Sequence, residues 1–133
     1  MSIKKVVLDT NIIISATISA QGNPFKIMEL VSDNKLQVYY NDEILAEYRK
    51  VLAYERLKID PKKQVEIVDI IKENGIYIKS ESSNIPLPDE NDRIFYDTAK
   101  ASEIILITGN KKHFPDESFI ITPADFVRLL NDN

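Results

Sequence analysis

The chain has no cysteine, one histidine and only three glycines among its 133 residues. The absence of cysteine excludes disulfide scaffolds, thiolate zinc sites and cysteine nucleophiles, and it is typical of proteins in a reducing cytosol. Any chemistry must therefore use oxygen and nitrogen groups. The glycines, Gly22, Gly75 and Gly109, are far apart, and the sequence contains no repeat, low-complexity tract or long Gly/Ser linker.

Long hydrophobic runs are also missing. The apolar runs near the N-terminus, VVL and III, are separated by Asp9, Thr10 and Asn11, and no small-residue cleavage site follows them. No run approaches the roughly 20 apolar residues that a membrane-spanning helix needs. We therefore expect no signal peptide, no membrane association and a soluble protein in the cytoplasm. The length and the 44% of hydrophobic residues are enough for one core, so we expect a single domain over residues 1–133.

The chain also lacks an excess of positive charge, since its net charge is -4. This balance argues against a broad electrostatic contact with nucleic acid, which depends on lysine and arginine neutralising phosphates. Acidic residues gathered around a metal ion would lower the net charge of the whole chain. The net charge would then say little about the charge of the surface that contacts a substrate. A nucleic-acid substrate therefore remains compatible with the sequence only through local features.

Strands and helices alternate along the sequence. Runs rich in β-branched and aromatic residues predict strands over 5–8, 36–40, 76–79, 104–108 and 119–121. Helix punctuation predicts helices over 23–32, after Asn41 or Asp42, from Asp60-Pro61 to Gly75, over 91–102 and after Thr122-Pro123. This pattern predicts an α/β fold with a mostly parallel central sheet of about five strands flanked by helices.

Polar residues follow several of the predicted strands. Asp9, Thr10 and Asn11 follow the first, Asn41 and Asp42 the second, and Thr108, Gly109 and Asn110 the fourth. Ligands of parallel α/β sheets bind at the carboxyl ends of the strands. We therefore expect the functional site at this edge of the sheet.

Three acids are candidates for that site. Asp9 ends a core strand, where an unpartnered charge is costly. Glu47 borders the apolar stripe of the second predicted helix, and Asp92 lies in the first turn of the fourth, where the helix end favours a carboxylate. Asp97 points roughly 140° away from Asp92 around that helix and is a poor partner for the same ion. Each acid also has a plain structural interpretation, as a helix cap for Asp9 and as a solvated helix charge for Glu47 and Asp92.

Carboxylates that share a half-buried cleft repel one another, and a divalent cation relieves the repulsion. Oxygen ligands without cysteine favour Mg²⁺ or Mn²⁺ over zinc. Such an ion can activate water and stabilise charge during phosphodiester cleavage. The acids alone thus favour a magnesium or manganese site.

Three segments taken together resemble one protein family. VVLDTNIIISA, YNDEILAEYRKVL and DENDRIFYDTAKASEIILITGNKKHF are similar, in order and spacing, to the PIN-domain ribonucleases. The likeness is strongest to the branch that contains the toxins of prokaryotic toxin–antitoxin systems, and it spans nearly the whole chain. It implies a PIN-like three-layer α/β/α fold and a metal-dependent endoribonuclease that hydrolyses RNA to a 5′-phosphate and a 3′-hydroxyl. It also implies an antitoxin partner and a homodimer or higher homo-oligomer.

The resemblance assigns roles residue by residue. Asp9, Glu47 and Asp92 match the family's catalytic metal ligands, Asn11 resembles the amide that orients the acid or phosphate, and Thr108 resembles a supporting hydroxyl behind the cluster. Asn110 stands where most members carry an aspartate. An amide oxygen coordinates only weakly, so we expect Asn110 to contribute to the metal site but to weaken metal binding.

Basic residues lie next to the predicted acids. Arg93 neighbours Asp92, and Lys111 and Lys112 follow Asn110, so we expect them to contact substrate phosphates, although plain surface charge is an equal alternative for the two lysines. His113 is more often a surface or packing histidine than a base.

Two other functions are compatible with these residues. The first is a PIN-fold module that binds RNA or protein, its catalysis weakened or lost because of Asn110. The second is a magnesium-binding receiver-like phospho-acceptor domain, which Thr108 and Lys111 fit loosely. The absence of adjacent acids after the first strand and of a strand-ending aspartate in mid-chain speaks against the second.

Overall fold

A computed structural model of the chain describes residues 4–79 and 81–132. Its strands are β1 (Lys4–Leu8), β2 (Leu36–Tyr40), β3 (Ile76–Tyr77), β4 (Ile105–Ile107) and β5 (Ile120–Ile121). Its α-helices are α1 (Thr10–Ile18), α2 (Asn23–Ser32), α3 (Asp42–Leu52), α4 (Pro61–Asn74), α5 (Arg93–Ser102) and α6 (Pro123–Asn131). The strands form one parallel sheet in the order β3-β2-β1-β4-β5, in a three-layer α/β/α arrangement. The predicted fold class is confirmed.

The centre of the sheet is formed by β1, which pairs with β2 on one side and β4 on the other. Its last three residues, Val6, Val7 and Leu8, are fully buried. A strand covered by helices on both faces carries apolar residues in succession rather than alternately, which explains the VVL run. The hydrophobic effect thus holds β1 rigidly up to Leu8, the residue before Asp9.

Local punctuation sets the ends of most helices as predicted. The side chains of Asn41, Asp60 and Thr122 accept hydrogen bonds from backbone amides in the first turns of α3, α4 and α6. Each bond satisfies an amide that the helix itself leaves unpaired. Pro24 and Pro61 stand in the first turns of α2 and α4, where a missing N–H costs nothing.

Several boundaries differ from the prediction. Helix α1 begins directly after β1 and was not predicted. The predicted strand 76–79 pairs with β2 only over Ile76–Tyr77 plus a hydrogen bond from the Ile78 amide to the Tyr40 carbonyl. Strands β4 and β5 are also shorter than expected. A 3₁₀ turn, Glu90–Asp92, precedes α5, so Asp92 is the residue before the helix and not part of its first α-helical turn.

The strand order reverses beside β1. The chain proceeds from β1 outward to β2 and β3, and then crosses back to place β4 and β5 on the opposite side. A crevice forms between the carboxyl ends of strands whose connections leave in opposite directions, and ligands bind there. Asp9 follows β1 and Thr108 follows β4, so the fold places both at this switch point.

None of the helices within residues 4–79 and 81–132 has the length and apolar content needed to cross a bilayer.

Candidate metal and nuclease site

Asp9 stands at the switch point with only 5% of its surface exposed. Its Oδ1 accepts a hydrogen bond from the Thr10 amide at 2.8 Å, so Asp9 caps α1 as well as ending β1. Its Oδ2 accepts from the Thr108 hydroxyl at 2.7 Å and from the Asn11 side-chain amide at 3.3 Å. Burial nevertheless raises the pKa of Asp9, with these hydrogen bonds and His113 opposing the shift. The carboxylate is therefore firmly oriented but not neutralised.

Two neighbouring side chains tie the ends of β1 and β4 together. Asn11 donates to Asp9 and accepts a hydrogen bond from the Gly109 amide at 3.1 Å. Thr108 is fully buried, donates to Asp9, and accepts from the Asn110 amide at 3.0 Å. Both side chains lie where the resemblance placed supporting groups, although their roles in a reaction stay predictions.

Glu47 projects from α3, and its side chain is 27% exposed. The next residue, Tyr48, is fully buried and donates its hydroxyl hydrogen to the Leu8 carbonyl at 2.6 Å, which fixes α3 against the end of β1. The charge of Glu47 raises the pKa of both Asp9 and Asp92, as expected for nearby acids. Lys50 approaches Glu47 only to 4.0 Å on the surface, where an ion pair contributes little.

Asp92 carries the most perturbed carboxyl group of this edge. Burial and the charges of Asp9, Asp89 and Glu47 together raise the pKa of Asp92 from 3.8 to about 6, although His113 lowers it. Its Oδ2 atom is buried and has no hydrogen-bond partner. The nearest ion-pair partner recorded for it is the imidazole of His113, with Nδ1 at 3.5 Å. An orphaned carboxylate oxygen among other acids fits a divalent cation.

The tightest group of potential metal ligands differs from the predicted one. Asp89, Asp92 and His113 each offer one ligand atom, and these atoms lie within 4.8 Å of one another. Across residues 4–79 and 81–132, no other set of three such side chains is this close. Asp9 and Glu47 are electrostatically coupled to Asp92 but belong to no such set of three, so ligation by the predicted set stays a prediction.

Asn110 does not present a free amide to the acids. Its side chain hydrogen-bonds the Nε2 of His113 at 2.9 Å. Neither Asp89 nor His113 was predicted as a site residue from the sequence. Their only signals are their positions, three residues before Asp92 and three residues after Asn110.

Arg93, expected to contact substrate, is instead held within the protein. Its guanidinium donates to both Glu90 oxygens at 2.6 and 2.8 Å and to the carbonyls of Ser83 and Ile85 at 2.7 Å. Phosphate contact by Arg93 is not favoured by this geometry, because its donors already have partners. Asp97 is buried and accepts hydrogen bonds from the amide and hydroxyl of Ser83 at 2.8 and 2.5 Å. These contacts secure the segment that leads to Asp89.

Lys111 and Lys112 begin a 3₁₀ turn, Lys111–His113, and are exposed beside the acidic edge. No ion pair involving either lysine is recorded in the described part of the chain. They stay candidates for phosphate contact.

A model of the PIN domain family matches residues 5–112, which covers β1 to the turn after β4 and includes every predicted site residue. The chain belongs to the PIN domain family. Membership confirms the expected family, whose members are generally nucleases and typically bind divalent metals. It also removes the receiver-like alternative, as does the strand order 3-2-1-4-5, because receiver-type sheets have the order 2-1-3-4-5.

Two relatives of this PIN domain add to the assignment. The chain is 33% identical over 116 residues to the uncharacterized protein MJ1680 of Methanocaldococcus jannaschii, and the alignment covers 80% of this chain and 71% of that protein. The fold of the present chain is similar to that of a chain in the crystal structure of VapBC2 from Rickettsia felis bound to a DNA fragment from their promoter. That match has a TM-score of 0.56 at 19% identity and covers 89% of this chain and 96% of the other. At this identity the likeness concerns the fold.

Proposed function

We propose that this PIN domain is a metal-dependent endoribonuclease that hydrolyses RNA phosphodiester bonds, and that it is the toxin of a toxin–antitoxin pair. Asp9, Glu47 and Asp92 act as the catalytic acids that hold Mg²⁺ or Mn²⁺. The proposal deepens what the family indicates, which is a nuclease with a divalent metal.

The single observation that carries the proposal is the environment of the Asp92 Oδ2 atom. This atom is buried, lacks a hydrogen-bond partner, and belongs to a carboxyl group whose pKa is raised by burial and by the charges of neighbouring acids. A protein that needed this aspartate only for its fold would give it a donor, since an unsatisfied buried charge is destabilising. A bound divalent cation removes the repulsion between the acids and explains why they are kept together.

The chain's own residues perform three tasks in this function. The Thr10 amide and the Thr108 hydroxyl fix the orientation of Asp9. Asn11, in the first turn of α1, holds the loop after β4 against the start of that helix by accepting a hydrogen bond from the Gly109 amide. Lys111 and Lys112 provide positive charge at the rim, where RNA phosphates approach.

When bound, the cation supplies Lewis acidity and lowers the pKa of water for phosphodiester hydrolysis. Asp9, Glu47 and Asp92 offer the oxygen donors that suit Mg²⁺ and Mn²⁺.

The test is cleavage of single-stranded RNA by the purified protein with Mg²⁺ or Mn²⁺, compared with Asp9→Asn. Asparagine caps a helix as well as aspartate does, so this variant removes the charge but keeps the cap. The matched control is Asp60→Asn, which makes the same change at the cap of α4, away from the site. We expect the first variant to lose cleavage and the second to retain it. Equal cleavage by wild type and Asp9→Asn would refute the proposal.

A non-catalytic RNA- or protein-binding module is the second candidate. The observation in its favour is Asn110, a neutral amide that is engaged with His113 rather than offered to a metal. Retention of labelled RNA with no cleavage under either ion, in wild type and Asp9→Asn alike, would favour this alternative.

A toxin requires a protein antitoxin, and we propose one partner of this kind, together with a homodimer or higher homo-oligomer and a cytoplasmic location. The similar fold of a chain in the Rickettsia felis VapBC2 structure supports the proposal of an antitoxin partner. Co-expression with the product of the adjacent gene should abolish RNA cleavage and give a stable complex on gel filtration. Undiminished cleavage and separate elution would contradict the toxin assignment while leaving the nuclease assignment intact.

A further inference from the structure

We propose that His113 supplies the ligand that Asn110 does not, so that the metal site of this PIN domain includes an imidazole nitrogen beside the carboxylates of Asp89 and Asp92. This inference rests on the proposed metal-dependent function and specifies the metal preference of the same site. It assigns a purpose to two side chains, Asp89 and His113, that the proposed ribonuclease chemistry leaves unused.

The three side chains lie close together. One ligand atom from each of them lies within 4.8 Å of the others, a separation that a single ion can bridge. The Oδ2 atom of Asp92 has no hydrogen-bond partner, because its 3.5 Å distance to His113 Nδ1 is too long for a good hydrogen bond. The side chains are near each other without satisfying each other.

The His113 ring is also oriented towards Asp92. Histidine ligands usually form a hydrogen bond through their other ring nitrogen, which fixes the ring and its tautomer. Asn110 makes such a contact with Nε2 at 2.9 Å, leaving Nδ1 directed at Asp92. In the structure the Asn110 Nδ2 atom faces Nε2. When Nδ1 binds a cation, Nε2 carries the proton, and the Asn110 amide turns over to accept that hydrogen bond through its oxygen. The amide that stands in place of an acid thus acts as a positioning group.

Hydrogen bonds also connect the turn that carries His113 to Asp9. The backbone amide of Asn110 donates to the Thr108 hydroxyl, which in turn donates to Asp9. The backbone amide of His113 donates to the backbone carbonyl of Asn110 at 3.1 Å. A continuous set of hydrogen bonds therefore joins the imidazole to the buried acid. These hydrogen bonds fix the backbone of the 3₁₀ turn that carries His113, even though half of the His113 side chain is exposed.

An imidazole changes which cation the site prefers. Magnesium favours oxygen ligands alone and retains several waters, whereas imidazole nitrogen suits first-row transition metals. An imidazole added to the carboxylates of this site therefore favours Mn²⁺ over Mg²⁺.

The experiment uses the full chain without a histidine tag, because His113 is its only histidine. Mn²⁺ is added, and electron spin-echo envelope modulation detects nitrogen bonded to the ion. Mn²⁺ and Mg²⁺ affinities are then measured by calorimetry for wild type, His113→Gln and Asn110→Ala. Asp69→Asn, on the exposed face of α4, is the control.

We expect a nitrogen signal in wild type and Asp69→Asn and none in His113→Gln. Removing the positioning amide in Asn110→Ala should weaken Mn²⁺ binding by about tenfold or more, and losing the imidazole by at least as much, with a smaller change for Mg²⁺. If wild type bound Mn²⁺ but showed no nitrogen modulation, this inference alone would be overturned. RNA cleavage in the same samples would then show that the proposed function is intact. No Mn²⁺ binding by wild type would overturn both.

Discussion

Replacing Asp92 by asparagine should stabilise the metal-free protein and destabilise the metal-bound one. The carboxyl group has a pKa raised from 3.8 to about 6 by burial and by neighbouring acids. At about 1.4 kcal/mol per pKa unit, this shift corresponds to at most about 3 kcal/mol of unfavourable free energy for the ionised group. Because 15% of the side chain is exposed and solvent screens part of the repulsion, we expect a gain of about 1–2 kcal/mol.

The sign of the pH dependence follows from the direction of the shift. A carboxyl group with a raised pKa binds its proton more tightly in the folded state than in the unfolded state. Its contribution to stability is therefore fully present below a pH of about 4 and is lost as the pH rises through about 6. The gain from Asp92→Asn should be small at a pH of about 4.5 and complete by about 7.5.

The assay is urea unfolding in the presence of a chelator at those two pH values, with Asp69→Asn as a control for removing an exposed acid. Saturating Mn²⁺ at about 100 times its dissociation constant should then add about 2.7 kcal/mol to the wild type and less to Asp92→Asn. The order of stability of the two proteins should reverse. A variant no more stable than wild type at the higher pH without metal would refute the reasoning, as would a gain of equal size at both pH values.

Substitutions at four other positions test the supporting structure. Gly75→Ala places a Cβ 2.4 Å from carbonyl oxygens of α4 and β2 and should lower the free energy of unfolding in urea by about 1–3 kcal/mol. Gly109→Ala places a Cβ no closer than 3.5 Å to its neighbours and should lower it by less than about 0.5 kcal/mol. Tyr48→Phe removes the hydrogen bond to the last carbonyl of β1 and should lower the free energy of unfolding by about 1–2 kcal/mol, and an unchanged value would show that the bond does not hold α3. Thr108→Val removes the hydroxyl donor to Asp9 and should reduce RNA cleavage, with recovery in Thr108→Ser; equal activity of the two variants would contradict an orienting role.

The elements that the sequence predicted well are those whose signals are local. Caps such as Asn41 and Thr122 bond to amides three residues away, so their geometry follows from nearby residues. Helix α1 lacked such a signal in its interior, because the run of three isoleucines after Asn11 is typical of a strand. Ile12 and Ile13 are both buried, and a helix that is apolar on several sides gives no amphipathic pattern. Tertiary packing decides its structure.

The site was predictable to the extent that its residues follow strands or begin helices. Asp9 and Thr108 were found because parallel strands bring their carboxyl ends to one edge. Asp89 and His113 were missed because their approach depends on two 3₁₀ turns and on the path of the irregular segment before them. The contacts of Arg93 with Ser83 and Ile85 have the same origin, since its partners lie 8 to 10 residues away in a stretch without regular structure.

The hydrogen bonds between the ends of β1 and β4 also set the time at which the site forms during synthesis. Thr108 is 99 residues from Asp9, and Gly109 is 98 residues from Asn11. A growing chain therefore exposes Asp9 and Asn11 long before the Thr108 hydroxyl and the Gly109 amide leave the ribosome, and Asp9 lacks its contact with Thr108 during that interval. Translation at about 5–20 residues per second makes the delay several seconds or more. The assembled crevice is thus a property of the nearly finished chain, so the nascent protein remains without an organised site until β4 docks beside β1.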